Sequence, residues 1–194
     1  MIWIIQGCIT ANSEYRAIGA PCRAETARQL ISGRMIYRAL LAQDFEKLPA
    51  VLRVFHSAPG QRRAAGTMSI RRQSAVLAWL VGFPPEGEQV PVKLDVLATE
   101  NEETWTRYFN GIIRSSTQWA AGGFLVEKAG PLRIAFQIRA SEEGLSFESR
   151  RAEVWGIPVP VRVEASARGG ESSWEVEVKI AHVGSYRGVM TLKS

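Results

Sequence analysis

The stretch Trp174-Glu175-Val176-Glu177-Val178-Lys179-Ile180 alternates apolar and charged side chains at every step. A period of two belongs to a β-strand, whose successive side chains point to opposite faces, here one toward a core and one toward water. The same alternation places Val90, Val92, Leu94 and Val96 on one face, and likewise Leu132, Ile134, Phe136 and Ile138. One wet face per strand is typical of antiparallel sheets. Turn formers fall between such runs at Asn110-Gly111, Gly122-Gly123, Gly130-Pro131, Glu143-Gly144, Pro158 to Pro160 and Gly169-Gly170, close enough for hairpins. These signals predict about eight or nine strands, a number that curls a sheet or partly closes it into a barrel.

Ahead of the strands the period is helical. Ile36, Leu40, Leu41, Phe45, Leu48, Leu52 and Phe55 recur at steps of three and four, the mark of a helix with one buried face. Pro49 divides it, and a second helix is expected from Pro49 to His56. Ser74 to Val81 reads as a further short helix, stopped by Gly82 and Pro84-Pro85. The expected fold is therefore α+β, mainly antiparallel β, with a curved sheet or partly closed barrel packed against N-terminal helices. Residues 1–34 show no sustained period and carry Gly19, Pro21 and Ser32-Gly33. They read as a poorly ordered extension with Met35 as the natural start, leaving residues 35–194 as a single β-rich domain.

A chain of 194 residues, 46% hydrophobic and with six tryptophans, can build a real core without metal or disulfide staples. The formal charge of +5 invites a nucleic-acid reading. The charges are dispersed, however, and Arg62-Arg63 and Arg71-Arg72 lack interleaved aromatics, so they read as a solvated turn and strand edge. Cys8 and Cys22 form no metal or redox motif and suit a cytoplasmic protein with free thiols. The apolar run before Cys8 is too short for a signal, and no stretch reaches the length of a membrane span.

Motifs for chemistry are missing. The sequence holds no phosphate-cradling glycine loop, no G-x-S-x-G elbow, no H-E-x-x-H helix and no G-x-G-x-x-G dinucleotide fingerprint. With His56 and His182 as the only histidines, a histidine-rich metal site is excluded. No cofactor is called for, and an enzyme is the less favoured class. The Gly184 to Gly188 stretch reads as a turn.

What stands out is polar residues at apolar parity. Arg107 shares its strand face with Trp105 and Phe109, and His182 continues the parity of Trp174, Val176, Val178 and Ile180. Arg151 and Glu153 share the face of Leu145, Phe147 and Trp155, and Glu127 follows an apolar run. In one reading these are strand-end charges or core ion pairs, such as Arg107 with Glu127 or Glu153, because a buried charge must be paired. In the other, a pocket lies between sheet and helix, and Arg107, Glu127, His182, Tyr186 and Trp105 orient a largely apolar ligand there. Three function classes follow. A binding module for a small hydrophobic or amphipathic ligand requires a sizeable cavity. An interaction domain requires a filled core and an exposed apolar patch. An enzyme requires a base such as His182 or Glu127 in a cleft with its partners.

The chain from Tyr37 to Arg187 also resembles a bacterial family, domain of unknown function 4166. The resemblance is carried by Leu48-Pro49-Ala50-Val51-Leu52-Arg53-Val54-Phe55-His56, Trp105-Thr106-Arg107-Tyr108-Phe109 and Val126-Glu127-Lys128-Ala129-Gly130-Pro131-Leu132. Gly156-Ile157-Pro158-Val159-Pro160 and His182-Val183-Gly184-Ser185-Tyr186-Arg187-Gly188 complete it. Such domains are often met C-terminal to saccharopine-dehydrogenase-like oxidoreductases and in membrane proteins of the YndJ type. The resemblance implies no activity of its own. It implies a context, in which the domain serves a separately encoded oxidoreductase. Residues 1–34 fall outside it, in keeping with a start at Met35.

Overall fold

The computed structural model describes residues 35–193; the N-terminal extension expected over residues 1–34, with Cys8 and Cys22, lies outside the described residues. Helix α1 (Ile36–Leu41) runs into a 3-10 segment (Ala42–Lys47), and helix α2 (Ala50–His56) starts directly after Pro49. The first helix is thus shorter than its periodicity suggests, because Ala42 takes a positive φ of 50° and breaks the ladder. Of the apolar residues expected to face inward, Ile36, Leu41, Phe45, Leu48, Leu52 and Phe55 are buried, Leu40 is half-buried, and Tyr37 is buried beside them. Tertiary burial, rather than propensity, holds helices this short.

Strand β1 (Gly60–Arg72) follows, then helix α3 (Ala75–Leu80), β2 (Gly87–Ala98), β3 (Glu102–Phe109), β4 (Ile112–Ala121) and β5 (Phe124–Ala129). Strands β6 (Leu132–Ala140), β7 (Gly144–Val154), β8 (Ile157–Pro158), β9 (Val163–Gly169), β10 (Ser173–Ile180) and β11 (Gly184–Lys193) complete the chain. Every paired neighbour is antiparallel, and β6 pairs with β7, which joins the two ends of the order β6-β5-β4-β3-β2-β1-β11-β10-β9-β7. The result is a closed barrel of ten strands, with the two-residue β8 added beside the end of β7. The strand count exceeds the sequence expectation because β1 lacks a clean alternation. Its burial pattern is broken by Gly66, and the strand carries four arginines that hide it.

Three sequence readings are corrected here. Gly184 to Gly188 is the start of β11 rather than a turn. Gly188 lies so close to β1 that a Cβ there would stand 1.9 Å from the Thr67 carbonyl oxygen, so glycine serves strand approach at this point. The Arg62-Arg63 and Arg71-Arg72 pairs lie at the two ends of β1, a strand with neighbours on both sides rather than a sheet edge, although Arg63 and Arg71 are solvated as expected. Arg62 turns back to the carbonyls of Phe55 and Ala58 and is mostly buried. Finally, Arg151 and Glu153 point outward. Ala135 pairs with Arg151 but Phe136 with Ser149, so Arg150 is an extra residue in β7. A one-residue bulge reverses parity: Ala152 becomes buried and Arg151 is exposed, paired with Glu153 at 2.6 Å.

Among the described residues no helix is long and apolar enough to cross a membrane.

Candidate functional site

A barrel widens with its strand number, and about eight strands leave room only for the side chains that fill it. Ten strands leave more. Helices α1 and α2 occupy the end where β1 begins and β10 starts, placing Tyr37, Leu52, Phe55 and His56 beneath the interior. Above them lies a cavity of about 250 Å³. It reaches the other end of the barrel at the loop after α3, lined by Val81, Gly82 and Phe83, and at the exposed Arg114.

The cavity has two chemically distinct sides. Val163, Trp174, Val176, Val178, Ile180 and Met190, from β9 to β11, make an apolar wall. The facing wall, from β3 to β5, carries a connected polar stripe. The Tyr37 hydroxyl donates to Gln118 Oε1 at 2.8 Å, and Gln118 Nε2 donates to Glu127 Oε2 at 3.1 Å. Glu127 Oε1 faces Arg107 Nη2 at 3.4 Å, and Arg107 Nη1 donates to Ser116 Oγ at 2.8 Å. The Arg107 guanidinium also lies 5.1 Å above the Trp105 ring, a cation–π contact. Arg107 and Glu127 are 22% and 21% exposed, so the pair keeps partial contact with solvent through the cavity.

A second polar group sits at the floor. Glu103 is fully buried and accepts a hydrogen bond from Trp105 Nε1 at 3.0 Å, while Arg62 Nη1 stands 3.8 Å from its other oxygen. His56 Nδ1 is 3.8 Å from Glu103 Oε2, and both His56 Nδ1 and Glu103 Oε1 lack a hydrogen-bond partner. The His56 ring is packed between Tyr37, at 3.8 Å between centroids, and Trp105, at 6.0 Å. Burial pushes the Tyr37 hydroxyl well above its ordinary pKa, and the carboxylates of Glu103 and Glu127 push it further. Burial likewise raises Tyr186, and it lowers Arg62 below the usual arginine value against the pull of Glu103.

Of the residues singled out in the sequence, the structure brings four to the cavity: Trp105, Arg107, Glu127 and Tyr186. Arg107 contacts both Trp105 and Glu127, whereas Tyr186 sits higher, its ring against Phe83 and Phe109. His182 is elsewhere. Strand β10 ends at Ile180, and His182 lies exposed in the turn to β11 at a φ of 63°, so the parity argument does not extend to it. The ion pair is Arg107 with Glu127, while Glu153 is taken by Arg151 outside the barrel. Sequence reasoning missed Glu103, Gln118, Tyr37 and the inward Arg62. A signal existed for Glu103, which shares the parity of Trp105, Arg107 and Phe109. None existed for Gln118 or Tyr37, since the stripe joins a helix to a strand 81 positions away.

Among the described residues no group of three or more His, Cys, Asp or Glu side chains is placed to hold a metal ion. A family model described as a domain of unknown function (DUF4166) matches residues 48–189. Of the polar residues at the cavity, Tyr37 alone precedes that span. No curated protein matches the chain, and no solved structure does.

Proposed function

The chain belongs to the DUF4166 family, a domain of unknown function, and we propose that its barrel is a binding module for a small hydrophobic or amphipathic ligand held in the cavity. The observation that carries this reading is the two-sided interior: about 250 Å³ of space between an apolar wall and the Tyr37–Gln118–Glu127–Arg107 stripe. Ligand sites are mostly apolar with a few convergent polar groups, and this volume lies just below their usual range of about 300–1,000 Å³. The size suits a compact amphiphile rather than a long acyl chain. Arg107 and Glu127 neutralise each other, so the stripe offers both donors and acceptors to a polar head. Delivery of that ligand to a separately encoded oxidoreductase is the part of the proposal supported by the family resemblance alone.

Calorimetric titration with octanol and octanoate tests the reading, with native mass spectrometry of the protein from its own host to detect a co-purified ligand. Saturable binding is expected, and it is expected to disappear in Ala165→Phe, which fills the cavity from its apolar wall. Binding that survives this change, or no binding of any small amphiphile with no co-purified ligand, would refute the reading.

A further inference from the structure

We propose that the rim around the cavity mouth docks on an anionic lipid surface, so that the ligand is exchanged between bilayer and barrel. The inference rests on the cavity being a ligand site.

Helix α3 reads Ala75-Val76-Leu77-Ala78-Trp79-Leu80 and contains no polar side chain. A surface helix normally keeps a polar outer face. Here only Ala78 is buried, while Val76 is 73% and Trp79 78% exposed. The adjoining β3–β4 hairpin carries Ile113, the second residue of β4, 56% exposed, and the β7–β8 hairpin presents Trp155 at 75% in its turn and Ile157 at 67% at the start of β8. Strand order puts all three elements at the end of the barrel where β1, β3 and β7 finish, the end at which the cavity reaches the exposed Arg114. Among the described residues the opposite end also exposes Val54, Leu97 and Phe124, but no tryptophan.

Charge completes the pattern. Arg114 Nε donates to the Gly82 carbonyl at 2.6 Å, and Arg72 donates to the carbonyls of Phe83 and Pro84. Two guanidiniums thus hold the loop beneath α3, and neither has a carboxylate partner among the described residues. Of the acids at this end, Glu88 is engaged by Ser69 and Arg71, Glu153 by Arg151, Glu164 by Arg162 and Glu177 by Lys179, which leaves Glu86. Apolar and tryptophan side chains above fixed positive charge are the composition of a segment lying in the interface of an anionic bilayer. The protruding residues come from separate elements around an opening. A flat lipid surface meets them together, whereas a protein partner would have to bridge the mouth and close it.

The test is flotation of the full chain with phosphatidylcholine vesicles, with and without about 30% phosphatidylserine. Wild type is expected to float with the anionic vesicles, and Trp79→Ala/Trp155→Ala to partition about tenfold less, while Val54→Ser behaves as wild type. The altered side chains are exposed, and thermal melts establish that each variant folds. Absence of flotation, equal loss in Val54→Ser, or a solution dimer dispersed by the double variant would overturn the docking. Titration of the same proteins with octanol and octanoate, without vesicles, separates the two claims. Ligand binding without flotation overturns the docking and leaves the cavity reading intact. Flotation without ligand binding overturns the cavity reading and the exchange with it.

Discussion

Replacing Arg107 by methionine removes one charge from the polar stripe while keeping a side chain over Trp105. Breaking a fully buried ion pair costs about 3–5 kcal/mol, and an exposed pair is worth about 1 kcal/mol or less. Arg107 and Glu127 lie between these limits, each about one-fifth exposed, with a separation of 3.4 Å. After the change Glu127 still accepts from Gln118, but Ser116 Oγ loses its donor. The expected destabilisation is therefore about 2 kcal/mol. In a urea melt with a slope of about 2 kcal/mol/M this lowers the midpoint by about 1 M. Adding Glu127→Gln removes the stranded carboxylate and is expected to recover about half of the loss. Octanoate titrations on the same proteins are expected to weaken in both variants, because the stripe orients the polar head. A loss of about 4 kcal/mol or more, fully recovered by the second change and with octanoate binding untouched, would refute the reasoning and make the pair purely structural.

Trp174→Ala and Phe136→Ala, both buried, are each expected to cost about 3–5 kcal/mol in denaturant melts, and the outward Glu175→Ala about 0.5 kcal/mol or less. Gly188→Ala drives a Cβ into the Thr67 carbonyl and is expected to cost about 3 kcal/mol; an unchanged melt would show that β1 and β11 separate freely. Tyr37 has its pKa raised by burial, so above about pH 10 the unfolded chain releases this proton while the folded one retains it, and stability falls as pH rises. Tyr37→Phe should flatten that alkaline decline, measured as unfolding free energy against pH, besides removing the hydrogen bond to Gln118.

The placement of Trp174, Val176, Val178 and Ile180 on the interior face, of Leu132 to Ile138 likewise, and of α2 after Pro49 was legible in the sequence. Each depends on local periodicity or on the chemistry of one residue, and these act over a few neighbours. The inward Arg107 was legible for the same reason, since it shares an uninterrupted strand with Trp105 and Phe109. Parity failed where the chain departed from ideal geometry. The extra Arg150 turned Arg151 and Glu153 outward, and the end of β10 at Ile180 left His182 in a turn.

Closure of the barrel belongs to the tertiary structure, because it is made by one pairing, β1 with β11, which joins the first strand to the last and which no local pattern encodes. The cavity follows from that closure at ten strands, with α1 and α2 under one end. So does the stripe from Tyr37 to Glu127, which exists only once the helix is set against β4. The sequence by itself determined which residues avoid water and with what period. Which polar groups meet inside was decided by ring size and register, quantities that arise from contacts between distant strands.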